Sequence, residues 1–263
     1  MSAEPAALPG LRAARTLYAA LYGDFAPHPR PALSQDAYSL FYARSAAMGW
    51  LTEAIEGALG GLWGMNDAEA RPGLSPAAFF QVTLTEPAEG TLLPVQPFLA
   101  CAGDVLARLG TLQLDAVKVL LPEHDADADA HFASPSELLT SRTLQDALNW
   151  FGDCDPRRRV PARITLDGLA DPSISAAAPT LWQWVREINQ DVFDCESWSE
   201  NDHLVLPSAT TFEGEAGHHR VTFRGTLAEW SLDALGWLAA FLADLSARHG
   251  VRTPLIVTAD RLT

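Results

Sequence analysis

The carboxy-terminal part of the chain alternates strand-like and helix-like runs in an order that few folds share. Its first run, residues 163–167, alternates polar side chains with Ile164 and Leu166, which is typical of a half-buried strand. The predicted elements are a strand at 163–167, a helix at 180–189, strands at 203–206 and 219–224, a helix at 228–249 and a strand at 254–258. This βαββαβ order predicts a ferredoxin-like unit in an α+β fold, an α/β sandwich whose helices cover one sheet face. Since such folds host many unrelated activities, the topology alone indicates no function.

The amino-terminal region is predicted to begin with helices. Residues 8–63 have helical character, because Leu17 and Leu21 recur at helical spacing and Gly23 is suited to end the first helix. A second helix is predicted at 34–62, with a break near its middle.

A βαβ segment is predicted after these helices. Its elements are a strand at 80–84, a helix at 96–109 and a strand at 116–121, and a further helix is predicted at 144–151. The chain is therefore divided into an N-terminal helical and βαβ region, 1–135, and a ferredoxin-like region, 136–263. Two alternatives stay open: the regions pack as one domain, or they are a degenerate duplication.

The charge of the chain excludes some classes of partner. It has 263 residues, with 33 Asp and Glu against 18 Lys and Arg, and a formal net charge of −15. Nucleic acids and anionic membrane surfaces attract cations, so we expect neither as a partner. The first residues show no signal-peptide pattern, and three widely spaced cysteines imply no disulfide framework, so we expect a cytoplasmic protein.

Two other groups of side chains were considered as chemical sites. The acidic stretch 123–131 resembles the start of a calcium loop, but the glycine and glutamate of such a loop are replaced by Ala130 and Ser136. Cys154 and Cys195 are each flanked by carboxylates, which disfavour the reactive thiolate. We therefore predict no metal site, no cofactor and no catalytic residue, and we interpret 123–131 as an acidic loop.

One face of the predicted carboxy-terminal sheet carries a local excess of cations. The first and third strands of a βαββαβ unit are neighbours, and their polar positions point away from the helices. The side chains expected on this face are Arg163, Asp167, His218, Arg220 and Arg224. Because guanidinium groups suit carboxylate or phosphate oxygens, the face is predicted to bind an anionic small molecule or an acidic segment. An ordinary solvated sheet face, or one covered by the amino-terminal half, would give the same pattern.

Three classes of function remain open from the sequence. The preferred hypothesis is a non-catalytic interaction or regulatory module that self-associates or binds a protein partner. If the acidic surface makes the contact, that partner is expected to be basic. The alternative is a protein or enzyme that binds an anionic small molecule on the polar sheet face. In it, His218 or His219 would carry a proton, Arg220 and Arg224 would hold the anion and Asp167 would orient them. A metal-dependent enzyme using residues 123–131 is the third hypothesis.

Overall fold

The protein is an α+β protein whose helices pack on one open antiparallel sheet of eight strands. The computed structural model describes residues 15–29, 36–52, 61–66, 76–85, 92–123, 149–187, 191–200 and 218–262. The strands are β1 Thr16–Pro27, β2 Trp63–Met65, β3 Ala78–Leu84, β4 Gly110–Leu121, β5 Val160–Asp167, β6 Phe193–Glu200, β7 Arg220–Leu227 and β8 Leu255–Arg261. The helices are α1 Ala37–Ala47, α2 Val95–Leu109, α3 Ser173–Glu187 and α4 Leu232–Arg248, with a 3-10 turn at Pro156–Arg158 and helical residues at 149–152.

The strand order shows how the two halves of the chain are joined. Across the sheet it is β2-β3-β1-β4-β8-β5-β7-β6, and every neighbouring pair is antiparallel. Each half contributes four adjacent strands, and the last strand of one half, β4, pairs with the last strand of the other, β8. The order of helices and strands along the described chain is also the same in the two halves. The sheet is therefore continuous from one half to the other.

The main hydrophobic core lies between the sheet and the helices. Alternate residues of the central strands point into it, for example Leu17 of β1, Val119 of β4 and Ile164 of β5, each almost fully buried. Helix α4 lies between α2 and α3 and is buried on all sides from Ala234 to Ala247. A helix enclosed in this way is expected to be largely apolar around its circumference, which explains the alanines and leucines of α4. The buried polar exceptions are Asp244, which pairs with Arg248, and Ser246, which donates to the Leu242 carbonyl.

The predicted first helix is wrong, because residues 16–27 form the long strand β1. The period of two was hidden, since both sides of β1 are apolar: Leu17 and Leu21 face the helices, while Tyr18 and Ala20 face the other way. Gly23 does not end a helix. It lies at an irregularity of the β1–β4 pairing with a positive φ of 143°, and a Cβ there would overlap the carbonyl oxygen of Gln113.

The predicted second helix is only partly correct. Helix α1 spans Ala37–Ala47 and is capped by Asp36, whose carboxylate accepts a hydrogen bond from the Ser39 N–H. The short strand β2, Trp63–Met65, begins directly after the predicted helix 34–62. Residues 53–60 of that predicted helix lie outside the described ones.

In the second half, the hairpin strand differs from the prediction. The described strand is β6, at Phe193–Glu200, whereas the predicted strand at 203–206 lies outside the described residues. A bulge between Cys195 and Ser197 changes which residues face the core, so β6 has no simple alternation. The strands predicted at 163–167, 219–224 and 254–258 correspond to β5, β7 and β8, and the β3 and α2 predictions also match.

Candidate functional site on the polar sheet face

The candidate site lies on the side of β5, β7 and β8 that points away from the helices, called here the polar face. In the register of these strands, Arg163 lies opposite Arg224 on β7 and Asp260 on β8. Asp167 lies opposite Arg220 on β7. The four predicted strand residues thus share one face, and the side chain of His218 joins them from the residues just before β7.

Asp167 is the centre of the first cluster on the polar face. Its Oδ2 accepts hydrogen bonds from Arg220 Nε at 2.8 Å and from His218 Nδ1 at 2.9 Å. Its Oδ1 accepts the backbone N–H of Leu169 at 2.8 Å, and Leu169 has a positive φ of 58°. Such a backbone conformation is costly for a leucine, so the carboxylate stabilises a strained turn as well as the side chains of Arg220 and His218.

Arg163 and Asp260 form the second cluster. Arg163 Nε donates to Asp260 Oδ2 at 3.0 Å, and both side chains are largely buried. Burial raises the pKa of the Asp260 carboxyl, while the charges of Arg163 and Lys118 act in the opposite direction. Lys118 is itself buried, on β4, where it lies opposite Thr258. The polar face therefore extends across the junction between the two halves.

Three threonines fill the space between the two clusters. Thr165, Thr222 and Thr258 are almost completely buried, and the hydroxyls of Thr165 and Thr222 lie 3.0 Å apart, within hydrogen-bonding distance. Thr165 lies opposite Thr222 on one side and Thr258 on the other. The centre of the polar face is therefore a packed layer rather than a solvated surface, unlike the ordinary wet face considered from the sequence.

Two of the arginines on this face are already paired with carboxylates of the same face. The Nε groups of Arg163 and Arg220 are committed to Asp260 and Asp167, so an incoming anion would compete with carboxylates already in place. Arg224 also has an interaction partner. Removing one member of such a buried pair leaves the other charge unpaired, which strongly destabilises a protein. The pair Arg163–Asp260 links β5 to β8, and the pair Asp167–Arg220 links β5 to β7.

Sequence reasoning missed Asp260 and Lys118 on this face. The predicted last strand ends at residue 258, two residues before Asp260. The sequence also does not indicate that β8 lies between β4 and β5. The alternation of Thr258 and Asp260 with Val257 and Ala259 was the available signal, because it is the same period-two pattern as in β5.

The other candidate sites contribute little in the described residues. Burial raises the pKa of the Cys101 thiol to about 11 and that of Cys195 to about 12, and it also raises the pKa of Cys154. These thiols are therefore poor nucleophiles at neutral pH. Within the described ranges, no group of three or more His, Cys, Asp or Glu side chains is placed to hold a metal ion. Residues 124–131 of the acidic loop lie outside those ranges.

Neither a membrane segment nor a relative indicates a function. In the part of the chain that the structure describes, no helix combines the length and the apolar character needed to cross a bilayer. The chain matches no protein-family model, and searches of curated proteins and of solved structures give no significant match.

Proposed function

We propose that the protein is a non-catalytic interaction module that acts in the cytoplasm and binds a basic protein partner. The observation that carries this proposal is the pairing of Arg163 with Asp260 and of Arg220 with Asp167. Cations that could have attracted an anionic ligand are bound to carboxylates of the same face, while the chain keeps a net charge of −15. An excess of negative charge raises the rate of association with a cationic partner and disfavours an acidic one.

The fold supports this proposal as a scaffold. We interpret each half as a ferredoxin-like βαββαβ unit and the chain as a duplication, because both halves have the order fourth-first-third-second strand across the sheet. The two units share the β4–β8 pairing. A continuous sheet of this kind would present side chains at fixed spacings, which favours a binding surface that is already formed before the partner arrives.

The strand β6 adds local support for a basic partner. Asp194, Glu196 and Glu200 are all exposed on this strand, which is the last in the order of described strands. Charged side chains on an outer strand oppose the addition of another strand to the sheet. We therefore expect the carboxylates of β6 to attract a basic partner over a distance, and their contribution to the affinity to depend on salt.

A matched pair of charge variants tests the proposal. The full chain is used to capture proteins from cell extract, the captured proteins are identified, and the leading partner is purified and its Kd measured over a range of salt concentrations. We expect a basic partner whose affinity falls as salt rises, and about tenfold weaker binding by Asp194→Asn/Glu196→Gln/Glu200→Gln. The control is Asp24→Asn/Asp115→Asn/Asp153→Asn, which removes the same number of exposed carboxylates outside β6. A neutral or acidic partner, or an affinity independent of salt, would contradict the proposal.

An anion-binding site on the polar face is the second candidate function. The observation that favours it is the convergence of His218, Arg220 and Asp167, whose side chains keep some access to solvent. Thermal unfolding in phosphate and in chloride at equal ionic strength tests it. Stabilisation by phosphate that disappears in Arg220→Ala/Arg224→Ala would support this function, and equal midpoints for the unaltered protein in the two salts would reject it.

A further inference from the structure

Helix α1 has an outer side without charge, which is unusual in so acidic a chain. Tyr38, Tyr42 and Met48 are between 44% and 48% exposed, and they make up three of the four large apolar side chains that are exposed among the described residues. Ala43, Ala46 and Ala47 complete this outer side, and all of them are exposed. We call Tyr38, Tyr42, Ala46 and Met48 the α1 surface.

The corresponding helix of the other half has a conventional exterior. Helix α3 exposes Gln183, Arg186 and Glu187, and the amide of Gln183 donates to Glu187 at 2.7 Å. A surface helix normally buries an apolar side and exposes a polar one, as α3 does. In α1 the buried side, with Leu40 and Phe41, and the α1 surface are both apolar. Packing against the core explains the apolar residues on the buried side of α1. It does not explain those of the α1 surface.

Among the described residues, the charges on α1 and its cap are an exposed carboxylate at the start of the helix and one ion pair with α2. The only charged residue within α1 is Arg44, and its Nε and Nη2 both bind Asp104 of α2, at 2.7 and 2.6 Å. The side chain of Asp104 is nevertheless 48% exposed. At the start of the helix, Asp36 is exposed, and hydrogen bonds to Ser39 lower the pKa of its carboxyl. Arg44 and Asp104 therefore offset each other, and Asp36 leaves an exposed negative charge at the start of α1.

We infer that the α1 surface is the docking site for the basic partner, and that this partner presents an apolar side chain between lysines or arginines. This inference rests on the proposed function and adds its location and its apolar component. Tyrosine and methionine are enriched at protein interfaces, where a few aromatic side chains contribute most of the affinity. The lysines or arginines would meet Asp36 and the negative field of the chain, while the apolar residue would pack between Tyr38 and Tyr42.

Charge decides between this partner and a second copy of the chain. Two copies would each bring a net charge of −15 to the contact, and both would bring the exposed carboxylate of Asp36. Like charges facing each other across an interface cost free energy. A cationic partner gains from the same field that opposes self-association.

Three synthetic peptides and three proteins test the inference. The first peptide is an amphipathic helix with leucines on one side and lysines elsewhere; the second replaces lysine by glutamate, and the third replaces leucine by serine. Their binding to the unaltered full chain, to Tyr38→Ser/Tyr42→Ser and to Trp150→Ser is measured by fluorescence anisotropy at about 150 mM salt, where screening acts beyond about 8 Å. Trp150 is the matched control, because it is an exposed aromatic residue outside α1.

The expected result is specific to one peptide and one variant. The leucine–lysine peptide should bind the unaltered chain and Trp150→Ser equally, and bind Tyr38→Ser/Tyr42→Ser at least about tenfold more weakly. Equal binding to both variants, with the glutamate peptide inactive, would overturn the α1 location and leave the proposed function standing. Binding of the glutamate peptide would overturn the choice of a basic partner and the proposed function with it. Equal binding of the serine peptide would overturn the apolar component. If the unaltered chain were a dimer and Tyr38→Ser/Tyr42→Ser a monomer, the α1 surface would be assigned to a second copy.

Discussion

The side of the sheet that points away from the helices differs between the two halves of the molecule. In the amino-terminal half it carries Tyr18, Ala20 and Leu120, which form a small hydrophobic cluster together with Ile256. In the carboxy-terminal half the same side is the polar face, with its buried threonines and ion pairs. The apolar cluster and the threonines are almost completely buried, whereas the side chains of Arg163, His218 and Arg220 keep 13% of their surface exposed. The same strand order therefore accepts two different chemistries on one side.

The side of the sheet that faces the helices is buried in the same way in the two halves. Leu17, Val119, Ile164 and Val257 are equally buried against the helices in the two halves. On the far side, the side of the sheet that points away from the helices, an apolar cluster needs only good packing. A buried polar cluster there needs a hydrogen-bond or ionic partner for each polar group. The carboxy-terminal half should consequently be more sensitive to single substitutions on its far side.

The largest effect is expected for Asp167→Ala. Arg220, His218 and the Leu169 N–H would each lose the same acceptor, so we expect a loss of about 3–5 kcal/mol in the free energy of unfolding, measured in urea. Ala20→Asp is the matched change in the amino-terminal half, since it places a carboxylate next to Tyr18 in the apolar cluster. If both substitutions were tolerated, the far sides of the two halves would not differ as described.

Arg163→Met should destabilise the protein somewhat less, and in a pH-dependent way. Burial already raises the pKa of Asp260, so the folded state holds this proton more tightly than the unfolded state. Stability from this group is therefore present at low pH and is lost as pH rises from the ordinary aspartate pKa through the raised one. Without Arg163 the pKa rises further, and the loss becomes larger and extends to higher pH.

Urea unfolding of this variant between about pH 4 and pH 7 measures the effect, which should reach about 3 kcal/mol at neutral pH. The control is Arg163→Met/Asp260→Asn, in which the additional pH dependence should disappear. A pH dependence that survives in the double variant would assign it to another group.

Thr222→Val should have an intermediate effect. It leaves the buried Thr165 hydroxyl without the partner seen at 3.0 Å, at a cost of about 1–3 kcal/mol in unfolding free energy. Thr165→Val/Thr222→Val removes both hydroxyls and makes this part of the face resemble the amino-terminal half, so most of the stability should return. A double variant less stable than Thr222→Val would show that the polar layer cannot be exchanged for an apolar one.

The smallest effect on stability is expected for Tyr38→Ser/Tyr42→Ser. Both rings are nearly half exposed on α1, so the free energy of unfolding should change by no more than about 0.5 kcal/mol per site. Leu40→Ser, on the buried side of the same helix, is the contrasting change and should cost several times more. Equal losses would mean that the α1 surface serves the fold rather than a partner.

Much of the carboxy-terminal half could be predicted from the sequence because its strands alternate. Ile164 and Leu166 in β5, and Val221 and Phe223 in β7, mark the helix side, so the arginines between them had to face the other way. Strand β1 could not be found in this way, because Leu17 and Tyr18 are both buried on opposite sides. Strand β6 could not be found for a different reason. The bulge between Cys195 and Ser197 shifts the alternation of buried and exposed residues within the strand.

The two halves also differ in what their helices revealed. Helix α3 has an ordinary amphipathic pattern, whereas α1 is apolar on both sides, so its sequence does not indicate which side is buried. Only the packing of Leu40 and Phe41 against the core identifies the outer side of α1. The α1 surface was for this reason invisible in the sequence.

Taken alone, the sequence determined the charge of the chain, the α+β class and the side of β5 and β7 on which the arginines lie. These properties depend on composition and on periodicity within a few residues. The tertiary structure decided which carboxylate binds which arginine, since Arg163 and Asp260 are 97 residues apart and meet only because β8 pairs with β5. Local periodicity specifies a face of a strand and carries no information about the neighbouring strand, so the pairing of Arg163 with Asp260 could not be predicted from it.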